Sequence, residues 1–66
     1  MAWLAVDRDG VCNIYNCKPK RSCGQWVIPK DFLTTGQYIT VSKETSFKLA
    51  GYKLTFNHET IEIWIL

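Results

Sequence analysis

The sequence predicts a small, mainly β domain of the α+β class: an antiparallel sheet of five or six strands, rolled into a half-open barrel and covered by one short helix. Three observations predict it. Apolar stretches of strand length, rich in Val, Ile, Trp, Tyr and Phe, lie between turn-forming residues along the chain. One stretch, residues 43–50, departs from that pattern and is bracketed by a helix-capping serine and a glycine. The C-terminal residues alternate apolar and polar with the two-residue period of a strand.

Taken in order, Trp3 to Asp7 reads as a first strand. Asp7-Arg8-Asp9-Gly10 reads as a turn, because Asp favours turn entry and Gly supplies a positive φ. Val11 to Asn16 resumes as a strand, so residues 3–16 form a β-hairpin. Within it Cys12 and Ile14 point to one face, and Val11, Asn13 and Tyr15 to the other. Lys18 to Gly24 reads as a basic loop, and Gln25 to Ile28 as a short strand stopped by Pro29. Asp31 to Gly36 is a connection with room for one helical turn, and Gln37 to Val41 is a strand of strong β-formers.

Ser42 can cap a helix, Glu44 suits its first turn, and Gly51 can end it, which predicts a helix over Lys43 to Ala50. Its packing face is expected to hold Phe47 and Ala50, with Leu49 nearby. A helix of this length is marginal alone in water and must rest on the sheet. Leu54 and Phe56 alternate with Thr55, Asn57-His58-Glu59 is a tight connection, and Ile61, Ile63 and Ile65 alternate with Glu62 and Trp64. These residues predict a second hairpin with one apolar face. The other face of its last strand carries Glu62, Trp64 and Leu66, which is apolar enough to pack on the helix or to serve as a contact surface.

Size and charge narrow the function. Residues 1–66 make a single small domain, and a chain of this length buries only ~60% of the surface its unfolded form exposes. Its 47% hydrophobic content excludes the disordered class. A formal net charge of +2 does not by itself announce a nucleic-acid partner. No apolar run approaches the ~20 residues of a membrane span, so no membrane partner is expected. MAWLAVDRDG lacks the basic segment and long apolar run of a signal peptide. The expectation is a cytoplasmic protein whose thiols are reduced.

Three groups of residues carry a resemblance. They are Trp3, Ala5, Val6, Asp7 and Gly10 in the first hairpin, then Lys18, Pro19 and Arg21, then Leu49, Gly51, Leu54, Thr55 and Phe56. In this order the chain resembles small proteins encoded by phages and prophages of Bacteroides-type gut bacteria. Where those carry a late tryptophan this chain has Phe56, and where they carry proline-lysine-glycine before the helix it has Ser42-Lys43-Glu44. The resemblance implies a phage-type accessory protein working in the cytoplasm of the host cell. It brings no active site with it.

Among candidate chemistries, Cys12, Cys17, Cys23 and His58 could supply a Cys3His zinc set. The gaps of four and five residues are not those of close cysteine pairs, and the histidine is remote. No metal or cofactor is expected, and zinc ranks last. Cys12 reads as a small buried hydrophobe, and Cys17 and Cys23 flank the basic loop, which a single bridge could close but which is expected to carry free thiols in the cytosol. Cysteine catalysis would need a base beside a low-pKa thiolate. His58, the sole histidine, sits in a predicted turn with no acid or oxyanion element beside it, so no enzyme activity is expected.

Two binding functions remain. Lys18, Lys20 and Arg21 form a compact cationic loop, with Tyr15, Trp26 and Tyr38 on nearby strands, the ingredients of a single-stranded nucleic-acid platform. Asp7, Asp9 and Asp31 dilute its field, which places this reading second. The first is protein binding. Trp and Tyr suit interface anchors, a small sheet has open edges, and both chain ends are apolar, which fits either pinning in the monomer core or burial in a homodimer or partner interface. The expected contact residues are Lys18, Lys20, Arg21, Trp26 and Trp64.

Overall fold

The computed structural model describes residues 1–64, so the expectations for Ile65 and Leu66 lie outside the described residues. The chain forms β1 (Ala2–Val6), β2 (Cys12–Tyr15), β3 (Lys20–Ser22), β4 (Gln25–Val27), a 3-10 turn at Lys30–Phe32, β5 (Tyr38–Val41), α1 (Lys43–Ala50) and β6 (Ile61–Ile63). All strand pairs are antiparallel. The described residues form a small α+β fold with six strands in antiparallel sheets and one α-helix, as the sequence predicts. The strands divide between a four-stranded sheet, ordered β5-β2-β1-β6, and a two-stranded β3-β4 hairpin.

The four-stranded sheet is covered on both faces. Its register sets Leu4 opposite Ile14 and Ile61, and Val6 opposite Cys12, which in turn faces Val41. Facing residues share a side of the sheet. On this side Leu4, Val6, Cys12 and Leu54 form one core cluster, with Ala50 of α1 packed against it. The opposite side carries Ala5 and Tyr15, covered by Trp26 of the hairpin with Ile28 and Phe56. β1 lies centrally between the two clusters, which is why Leu4, Ala5 and Val6 are all buried and the strand shows no alternation.

α1 occupies the predicted residues because its ends are chemically marked. Ser42 Oγ accepts from Thr45 N at 3.1 Å, and Gly51 at φ 81° donates its N–H to Phe47 O at 2.8 Å. Its packing face differs from expectation. Ser46 and Ala50, one turn apart, turn toward the sheet, while Phe47 is 55% exposed and Leu49 43%. Small side chains at this contact let the helix sit close over Cys12, and a phenyl ring there would hold it off.

Two further expectations are corrected. Lys18 to Gly24 is not a plain loop. Lys20–Ser22 pairs with Gln25–Val27 through a two-residue turn, with Cys23 at φ 51° and Gly24 at φ 80°. Two positive φ values in succession are the signature of a type I′ hairpin turn. Residues 54–56 form no strand, and Ile61–Ile63 pairs with β1 instead. Leu54 belongs to the helix-side cluster and Phe56 to the hairpin-side cluster, so this segment crosses from one covering layer to the other. A strand would have held both residues on one face.

Among the described residues no helix is long and apolar enough to cross a membrane.

Candidate functional site

The residues singled out by the sequence separate into structural and exposed groups. Arg21 lies on β3 and reaches across to the segment that follows Leu54. Its Nη2 donates to Phe56 O at 2.9 Å and to His58 O at 2.8 Å, and Nη1 lies 3.3 Å from Glu59 Oε1. The guanidinium also stacks 4.7 Å from the Trp26 ring centroid and 5.4 Å from that of Phe56. Arg21 therefore fastens the hairpin to a segment without regular secondary structure, using most of its donor fork within the chain. Lys18 and Lys20 remain exposed.

Trp26, expected among the exposed aromatics, is only 8% exposed. Its Nε1 donates to Val6 O at 3.0 Å, and its backbone N–H donates to Asp7 Oδ1 at 2.7 Å. A polar chain runs from the exposed Thr40 into the core beside it. Thr40 Oγ1 donates to Asn13 Oδ1 at 2.7 Å, Asn13 Nδ2 reaches Tyr15 Oη at 3.5 Å, and Tyr15 Oη donates to Trp26 O at 3.3 Å. Of the three rings proposed to stack on nucleic-acid bases, Tyr15 and Trp26 are thus buried and Tyr38 alone is exposed. Base stacking needs open ring faces.

The candidate zinc residues are dispersed. Cys12 lies in the helix-side cluster, Cys17 is buried, Cys23 is exposed in the hairpin turn, and all three are free thiols. His58 is engaged within its own turn, with Nδ1 accepting from Thr55 N at 3.0 Å. Among the described residues no three His, Cys, Asp or Glu side chains converge.

A groove of about 590 Å³ runs between the first turn, the start of α1 and residues 53–56, with Cys12 in its lining. Its charged residues balance: Arg8, Lys43 and Lys53 against Asp7, Asp9 and Glu44. The acids are engaged, Asp7 with Trp26 N, Asp9 with Val11 N, and Glu44 with Lys48. Burial pushes the Cys12 thiol above its ordinary value, against the opposing effect of a hydrogen bond with Ser46. A thiol so placed stays protonated at neutral pH and is a poor nucleophile.

The Tyr15 phenol is likewise raised, chiefly by burial and against its hydrogen bond to Asn13. Both shifts predict alkaline sensitivity. For each group the folded pKa exceeds the unfolded one, so the unfolded chain loses its protons first as pH rises. The associated stability is complete below the ordinary thiol value of about 9 and is lost as pH climbs through the two folded values. Thermal melts followed by circular dichroism should show a falling Tm from about pH 9 upward; a flat profile there would contradict the burial of these groups.

A second depression, also about 590 Å³, lies at the end of the sheet where β1 begins and β2 ends. Met1, Ala2, Ile14, Ile28, Tyr38 and Ile39 are among its lining residues, and none of its lining side chains is charged. Met1 is 60% exposed, Tyr38 56% and Ile39 64%. The β1–β6 ladder ends at the pair Ala2 and Ile63, and the residue that follows it, Trp64, is the most exposed large apolar residue described, at 77%. Trp64 is thus exposed, as the contact role expected of it requires. The depression was not legible in the sequence, because its residues come from four separate segments.

Compared with known protein families, with functionally curated proteins and with solved structures, the chain matches none.

Proposed function

We propose that this chain is a non-catalytic accessory binding protein of phage type, acting through protein–protein contact with a host or defence component. The observation that carries the reading is the depression at the end of the sheet. In a chain of which 21% of residues are charged, none of its lining side chains is, Met1, Tyr38 and Ile39 stand exposed on it, and the exposed Trp64 follows Ile63, the ladder partner of the lining residue Ala2. Charge depletion with Tyr, Trp and Met enrichment marks the centre of a protein interface. The resemblance to phage and prophage proteins supports the provenance, and with it a partner in a Bacteroides-type host.

The contact is centred on Trp64, with the depression as the pocket beside it and Lys18 and Lys20 as outlying charges. Affinity purification of tagged protein from such a host, read by mass spectrometry, tests it. A host protein held by the wild type should be retained at least about tenfold less by Trp64→Ala, since buried interface tryptophans contribute on the order of 2 kcal/mol or more. Trp64 is exposed, so the substitution should leave the thermal melt unchanged. Undiminished retention by the variant would remove this surface from the reading.

A further inference from the structure

The four-stranded sheet ends at β5, and the ladder tells which backbone groups of β5 face outward. Asn16 N donates to Gln37 O at 3.0 Å and Gln37 N donates to the Asn16 side-chain Oδ1 at 2.7 Å, so these two residues face each other at a hydrogen-bonded position of the ladder. Such pairs alternate along an antiparallel ladder. Ile39 and Val41 therefore bond inward to their β2 partners, Ile14 and Cys12. The N–H and C=O groups of Tyr38 and Thr40 then point to the open edge. Residues 37–42 contain no charge and no proline, two of the devices that ordinarily blunt an edge strand. The other edge, β6, is three residues long and carries Glu62.

We infer that β5 pairs antiparallel with β5 of a second copy of this chain, joining two sheets into one across a two-fold axis at Ile39. An axis of this kind brings each residue close to its own counterpart, so a charged edge would repel itself; this edge is uncharged. Facing residues must lie on the same side of a continuous sheet, and the outward groups of Tyr38 and Thr40 must meet outward groups. Axes at Tyr38, Ile39 and Thr40 meet these conditions, but the Tyr38 axis would draw on Gly36, whose N–H already donates to Phe32 O at 2.6 Å. The Thr40 axis would draw on Ser42, whose carbonyl already accepts Ser46 N at 3.0 Å as the first bond of α1. The Ile39 axis sets Tyr38 against the copy's Thr40 on both sides, each pair exchanging both bonds. It also places the two Ile39 side chains, 64% exposed in the single chain, in the closer non-hydrogen-bonded position.

Tyr38 and Ile39 also line the depression, so this pairing and a partner seated in the depression compete for the same edge. The pairing itself does not depend on the proposed function. A monomeric chain would overturn the dimer and leave the Trp64 experiment standing.

Light scattering coupled to size exclusion, at high micromolar concentration, is the test. The wild type should show about twice the chain mass of 7.6 kDa. Ile39→Lys and Ile39→Glu should each run as monomers with unchanged circular dichroism, because like charges then face each other across the axis. Mixed in equal amounts, the two variants should recover the dimer. A monomeric wild type, a single variant that remains dimeric, or a mixture that stays monomeric would overturn the inference.

Discussion

Trp26→Ala is expected to abolish cooperative folding. Truncating a buried Trp to Ala costs about 3–5 kcal/mol. A domain of 66 residues has on the order of 3–10 kcal/mol in total. The indole also does more than fill space. It covers the Ala5–Tyr15 side of the sheet, donates to the Val6 carbonyl and carries the stacked guanidinium of Arg21. The conservative Trp26→Phe keeps most of the apolar area and loses the indole bond, at a cost of about 1 kcal/mol from that bond. Urea or thermal unfolding followed by circular dichroism separates the cases. A cooperative melt for Trp26→Ala within about 1 kcal/mol of wild type would mean that the ring is a surface contact after all.

That experiment bears on what a sequence can reveal. Trp26 sits on a three-residue strand beside a basic segment, and composition alone suits either a core residue or an exposed stacking platform. Deciding between them requires knowing that β3–β4 folds over the sheet. The sequence hides this, because the hairpin turn is Cys23-Gly24 and not the Asn-Gly or Asp-Gly that signals a type I′ turn. Elements whose signals are local were legible. α1 carries a capping serine and a terminal glycine at its ends, and both act as expected. The first hairpin has Asp7 and Gly10 at its turn, closed by Gly10 N to Asp7 O at 2.9 Å.

The second hairpin failed for an instructive reason. Leu54-Thr55-Phe56 shows strand alternation, but its two apolar residues serve different clusters on opposite sides of the sheet. Alternation reports that every second residue is buried, not that the same layer buries them. The strand Ile61–Ile63 was legible as a strand, while its partner was not, because β1 and β6 are brought together from opposite ends of the chain. The contact surface shares this difficulty: Trp64 was legible as an apolar residue on a polar face, and the depression beside it was not.

Arg21→Ala should be the most damaging change among the charged residues of the basic segment, at about 2–3 kcal/mol, because it removes charge-assisted bonds to two carbonyls together with the guanidinium stacking. Lys18→Ala and Lys20→Ala, at exposed positions, should stay within about 0.5 kcal/mol of wild type. Glu59→Ala separates the contributions of Arg21. The ion pair is largely solvent-exposed, with side-chain exposures of 37% and 81%, so its loss should cost at most about 1 kcal/mol. The carbonyls of Phe56 and His58 and the rings of Trp26 and Phe56 are then left as the main source of the effect. Arg21→Lys should recover only part of the loss, since a single ammonium can neither present the planar fork to both carbonyls nor stack comparably on the rings. If Arg21→Ala instead unfolds like the two lysine variants, the guanidinium is not the fastening between hairpin and crossing segment. The basic segment would then have to be regarded as a solvated, charge-presenting surface along its whole length.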